Sequence, residues 1–142
     1  MTNDTAGNGE ERYVLGFPEM DAQHEYCYVL FDAIETVFAS DDASARENLV
    51  REIERYLLFH CECEEHLMRI YDTPGFAVHQ SDHEQMQQKL LGYLDDYEAG
   101  KLQPAAMRIA LTGWLMEHSR YSDKEYVDWI RSRRKTIRTF VK

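Results

Sequence analysis

No stretch of the 142-residue chain approaches the ~18 consecutive apolar residues that a membrane-spanning helix needs. The N-terminus, MTNDTAGNGEER, lacks the basic and apolar segments of a signal peptide, so a soluble cytoplasmic protein is expected. Basic residues are also in short supply: 16 Lys and Arg against 26 Asp and Glu give a formal net charge of −10. That balance argues against a nucleic-acid binder, because neutralising phosphates requires clustered cations. Proline occurs only at Pro18, Pro74 and Pro104, and the long breaker-free stretches between them favour an all-helical protein. The three cysteines, Cys27, Cys61 and Cys63, are odd in number. Positions two apart on a helix point ~200° from one another, so Cys61 and Cys63 should not bridge, and reduced thiols are expected.

A chain of this length forms one domain around a single core. Residues 1–12 read as disordered, Tyr13 to Pro18 as an extended arm, and 13–130 as the folded unit. A first helix is expected from about Asp21 to Ala39, with His24, Tyr28, Phe31, Ile34 and Phe38 on one face. Asp21 reads as its cap, while Ser40, Asp41 and Asp42 supply the break and the next N-cap. A second helix, about Ala43 to Tyr71, turns Val50, Ile53, Leu57, His60, Glu64, Leu67 and Tyr71 inward. After Asp72-Thr73-Pro74-Gly75, a third runs from about Val78 to Glu98 with His79, His83, Met86, Leu90, Tyr93 and Tyr97 on one side. A fourth opens at Pro104 and reaches about Arg131, with Met107, Leu111, Trp114, Leu115, His118 and Val127 inward. Four amphipathic helices on short loops make an up-down-up-down bundle.

Residues 131–142, RSRRKTIRTFVK, hold six basic residues and no acid; removing those six charges leaves about −16 on the rest. This tail reads as a helix end whose cations suit the negative C-terminal dipole. The other reading is a docking segment for an acidic protein partner or a membrane.

Five of the six histidines, His24, His60, His79, His83 and His118, fall on inward faces spread over all four helices. One histidine on an apolar face is usually a hydrogen-bonded core residue. Five are not so easily absorbed. His79 and His83, four apart, stack on one face and offer two imidazoles to one metal; His60 and Glu64 repeat the spacing. A carboxylate facing a core is costly unless paired or metal-bound, and the same holds for Asp123. His118 and Asp123 are five apart, ~140° on an ideal helix; a π-bulge between them would turn Asp123 back toward the bundle axis. His66 points away from this set.

Seven such groups exceed what one metal can use. If two octahedral metals share Glu64, Asp123 and a solvent-derived oxo or hydroxo bridge, six positions remain and five histidines fill five of them. One stays vacant for a small exogenous molecule. The imidazole-rich, thiolate-free set suits iron without excluding zinc, copper or manganese. A structural zinc site is disfavoured, since it would close with four ligands and Cys61-x-Cys63 is short for zinc.

These motifs resemble the bacterial hemerythrins: Gln23-His24, His60-x-x-x-Glu64-Glu65-x-Leu67-Met68, His79-x-x-x-His83, and Trp114-Leu115-x-x-His118-x-x-x-x-Asp123, within about Tyr13 to Val127. The resemblance implies two non-haem irons bridged by Glu64 and Asp123. His79, His83 and His118 would complete the filled iron; His24 and His60 would hold the open one. It implies reversible O2 binding for transport, storage or delivery, with O2 or redox sensing through a partner, or peroxide removal, as alternatives. The family commonly has phenylalanine after the second-helix histidine and isoleucine after the fourth-helix one, where this chain has Cys61 and Ser119; Leu115 is retained. If Cys61, Leu115 and Ser119 line the O2 pocket, it is more polar than usual and should oxidise faster. Tyr13 stands where the family's arm carries tryptophan. A ferritin-like carboxylate enzyme would need two Glu-x-x-His pairs, which are absent. A bundle without metal would leave five histidines and two acids in its core.

Overall fold

The computed structural model describes Arg12 and residues 14–141, the side chains of 135–141 excepted. Its helices are α1 (Pro18–Asp32), α2 (Ile34–Ala39), α3 (Ala43–Ile70), α4 (Phe76–Glu98), α5 (Pro104–His118), a π-turn (Ser119–Asp123) and α6 (Lys124–Val141). The first two form one broken helix and α5 to α6 another, giving the expected all-α bundle of four helices. No strand occurs among the described residues. No helix there is long and apolar enough to cross a membrane.

Local chemistry sets the boundaries. Pro18 occupies the first turn of α1, where its fixed φ fits and its missing N–H is not needed, so the helix begins before the expected Asp21. Asp21 instead turns back on the arm: its carboxylate accepts the backbone N–H groups of Leu15, Gly16 and Phe17 at 2.9, 2.9 and 3.1 Å. Gly16 is required there, since its φ is +75° and a Cβ would lie 2.7 Å from the Arg131 guanidinium. Arg131 in turn donates to the Leu15 carbonyl at 2.5 Å. Asp42 caps α3 by accepting from Ala45 N at 3.0 Å. The fourth bundle helix continues through α6 to Val141, past the expected end near Arg131.

Tyr13 and most of residues 1–12 lie outside the described residues. Arg12, assigned above to the unstructured segment, holds Asp32 with two bonds of 2.8 Å and stacks over the Tyr28 ring. Of the basic segment, Arg134 lies over Phe17 and donates to Tyr71, and Arg133 covers Trp129.

The apolar core is divided. One cluster gathers Cys27, Phe31, Ile34, Ile53, Leu57, Met86, Leu90, Leu111 and Leu115. A second gathers Leu15 and Phe17 of the arm with Met20, Met68, Tyr126, Val127 and Ile130. In every bundle helix the chemistry-bearing residues fall between the two: His24 follows Met20 and precedes Cys27, and Asp123 precedes Tyr126. A polar layer is thereby closed from above and below by apolar side chains.

Candidate metal centre

All seven residues read from the sequence meet in that layer. His24, His60, Glu64, His79, His83, His118 and Asp123 are buried, with Glu64, His83 and Asp123 wholly inaccessible. They form two groups with mutually close ligand atoms: Glu64, His79, His83 and His118 in one, and His24, His60, Glu64 and Asp123 in the other.

The two carboxylates divide their oxygens between these groups. Glu64 Oε1 lies 3.2, 2.9 and 3.5 Å from Nε2 of His79, His83 and His118, while Oε2 lies 3.5 and 3.1 Å from Nε2 of His24 and His60. Asp123 Oδ1 faces His79 and His118 at 3.2 and 3.0 Å, and Oδ2 faces His24 at 3.2 Å. The π-turn makes this arrangement reachable: it lies between His118 and Asp123, where a regular helix would have carried the aspartate off the axis.

Behind the imidazoles runs a second set of contacts with a simple order. Gln23 on α1 holds His60 Nδ1 of α3 at 2.7 Å, and Glu65 on α3 holds His83 Nδ1 of α4 at 2.8 Å. Asp82 on α4 holds His118 Nδ1 of α5, and Ser119 at the end of α5 meets His24 Nδ1 of α1 at 3.3 Å. Each partner is the sequence neighbour of one centre residue yet serves the imidazole of the next helix, and the last closes on the first. Trp114 stacks on His118, with ring centroids 4.4 Å apart and planes 14° apart.

A cation fits the donor set. Carboxylates only accept, so Glu65 and Asp82 place a proton on Nδ1 of His83 and His118 and leave each Nε2 with a lone pair. Those two Nε2 atoms face each other at 3.1 Å, which is repulsive unless a cation or a proton lies between them. Five buried atoms of the layer, Nε2 of His24 and His60, Oε2 of Glu64 and both oxygens of Asp123, make no hydrogen bond despite their proximity. They are aimed at common points rather than at one another. At about 1–3 kcal/mol for each unsatisfied buried group, such a cluster is a poor way to build a core and a good way to hold a metal.

Without metal, protons take its place. Burial alone would lower the pKa of His24, but the facing carboxylates of Asp123 and Glu64 outweigh it and raise it to about 9. His79 is raised to about 9 by the same balance. His118 is held well above its usual value, burial again being outweighed by Asp123. Against the opposing effect of burial, the imidazoles keep Glu64 and Asp123 well below the usual carboxylate range.

Of the residues assigned to an O2 pocket, Cys61 and Leu115 are buried in the first apolar cluster, and Ser119 is buried against His24. The cysteines are free. Burial, followed by the nearby Glu64, pushes the Cys27 thiol up to about 12 and raises that of Cys61 as well, so neither is a ready thiolate. Met68 packs in the second cluster and His66 is exposed. Sequence reasoning gave no role to Asp82 or Tyr126. Asp82 directly precedes His83, which was the available signal. Tyr126 carries a buried hydroxyl without a hydrogen-bond partner, and its ring meets His79 edge-on at 5.4 Å.

Comparison with known proteins agrees with this geometry. A sequence profile of the hemerythrin HHE cation binding domain matches residues 15–130. Bacteriohemerythrin of Stenotrophomonas maltophilia (strain R551-3) is 25% identical over 118 residues, 83% of this chain and 77% of that protein. Bacteriohemerythrin of Pseudomonas paraeruginosa (strain DSM 24068 / PA7) is 25% identical over 116 residues, 82% and 76% of the two chains. No solved structure matches. Since the matching profile spans both apolar clusters and the whole polar layer between them, the chain belongs to the hemerythrin family of cation-binding domains.

Proposed function

We propose that the polar layer holds two non-haem irons and binds O2 reversibly. The observation that carries this reading is the unequal partition of donors: two carboxylates, each offering one oxygen to either side, with three imidazoles on one side and two on the other. Glu64 and Asp123 would be shared by the two irons, His79, His83 and His118 would hold one, and His24 and His60 would hold the other, leaving it room for O2. The likeness to bacteriohemerythrins supports iron as the metal. When bound, the iron pair supplies the electrons that make O2 binding reversible.

The chain's own residues create the conditions for it. Glu65, Asp82 and Gln23 fix the imidazole tautomers so that Nε2 is free to ligate. The two apolar clusters keep bulk water from the layer, which disfavours irreversible oxidation. The pocket on the two-imidazole side would be formed by Ser119, which meets His24, with Cys61 and Leu115 of the first apolar cluster as its wall.

The test is an anaerobic-to-aerobic optical titration of the reduced, iron-loaded chain with iron quantified per chain. Two irons and an absorption band that appears with O2 and vanishes on its removal establish the O2 binder; two irons oxidised irreversibly overturn it in favour of sensing or peroxide removal. Replacing the polar pocket residues by Cys61→Phe with Ser119→Ile should lengthen the oxygenated lifetime, and an unchanged lifetime would remove those residues from the pocket.

A further inference from the structure

Five imidazoles converge on the centre, but only four are held from behind. Among the described residues, His79 Nδ1 makes no hydrogen bond, whereas Nδ1 of His60, His83, His118 and His24 each has a partner. His79 stands near the start of α4, whose N-cap is the left-handed Gly75 with no side-chain cap, and its own N–H donates to the Gly75 carbonyl at 3.0 Å.

Its outer edge is reached by a cleft of about 180 Å³ bounded by Met68, Val78, Ser122, Glu125 and Tyr126. At ~30 Å³ per water this has room for about six waters, the size of a hydrated divalent cation. Glu125, at the mouth in the first turn of α6, is exposed and has no ion-pair partner among the described residues. A second cleft, of about 200 Å³, ends on His118. That ring, however, is clamped between the Asp82 carboxylate and the stacked Trp114 indole.

We propose that the cleft over His79 is the route by which metal ions enter and leave the centre, with Glu125 taking the incoming cation and His79 swinging aside to admit it. The inference rests on the two-metal reading above. His79 is the ligand whose departure breaks no hydrogen bond behind it, and Glu64 and Asp123 lie directly beyond it at 3.2 Å from its Nε2. A cation passing the imidazole therefore meets both carboxylates.

Cobalt(II), close to iron(II) in ligand preference, is the probe. The metal-free full-length chain is mixed with Co2+ and growth of the visible ligand-field band is followed by stopped flow. Glu125→Gln should slow uptake about tenfold, the scale on which a local charge alters a cation's on-rate, with the final stoichiometry unchanged. Glu117→Gln, the same charge change beside the His118 cleft, should leave uptake as in the parent. Equal rates in parent and Glu125→Gln, or slowing by Glu117→Gln instead, would overturn the route.

A second measurement asks the ligand itself. His79→Gly should take up two cobalt ions only when imidazole is added, because the cleft admits it, whereas the sealed His83→Gly should not respond. Equal rescue of both, or of His83→Gly alone, would overturn the role of His79. A parent chain that binds no cobalt removes the metal centre and this route together; a parent that binds two ions at a rate indifferent to Glu125 removes the route alone.

Discussion

Asp82 shows how much of a metal centre resides in residues that never touch the metal. It is about one-third exposed and would pass for a surface acid, yet it fixes the tautomer and orientation of His118. Asp82→Asn keeps the shape and removes the charge. Metal binding should weaken about 10- to 100-fold, the usual cost of losing such a partner, as read by competition with a chromogenic chelator; undiminished affinity would show that Trp114 alone holds the ring. The seven convergent residues were legible because polar groups on apolar faces are expensive and therefore conspicuous. Their outer partners were not, because a half-exposed Asp or Gln is ordinary on a helix. The overlooked signal was adjacency: a residue next to an inward one points ~100° around the helix, toward the neighbouring helix, and there it meets that helix's imidazole.

At the level of elements, the π-turn is a single extra residue accommodated without losing phase. His118 and Asp123 on either side both face the axis. Deleting Tyr121, 62% exposed within that turn, should restore a regular helix in which the histidine and aspartate stand four apart, on one face by ordinary helical geometry. The variant should bind two metals and melt near the parent, whereas deleting Ala110 from the regular part of α5 should dephase everything after it by ~100° and unfold the bundle. Circular-dichroism melts with metal analysis distinguish these outcomes; loss of metal from the Tyr121 deletion would mean that the turn is needed for more than register. The distortion was readable in the five-residue spacing, which no straight helix could satisfy. The break at Ala33 was not readable, since alanine is the strongest helix former and no glycine or proline marks the place. The early start at Pro18 and the long run of α6 were missed at the least determinate part of any helix, its ends.

The whole molecule should respond to pH in opposite senses with and without metal. In the metal-free chain, the raised pKa values of His24 and His79 contribute stability that is full below about pH 6.5 and lost as pH rises through about 9. The depressed Glu64 and Asp123 contribute stability that is present above the ordinary carboxylate range and lost as pH falls through their lowered values. The metal-free melting temperature should therefore be highest in mildly acidic solution. Metal must displace the imidazole protons, so the rise in melting temperature on loading should widen from about pH 6 to about pH 9. Parallel melts of loaded and metal-free protein check this, and a gap that narrows over that interval would contradict the assignment of these histidines as ligands. The circular order of support, in which each helix lends a side chain to the next and the last returns to the first, also governs when the site can exist. A chain with three helices docked has an unbacked imidazole and lacks one or more of the seven converging residues, so, if the layer holds two ions as proposed, no stretch of nascent polypeptide short of the fourth helix would retain both. On the two-metal reading, ions entering by the His79 cleft are therefore taken up after the fourth helix has docked.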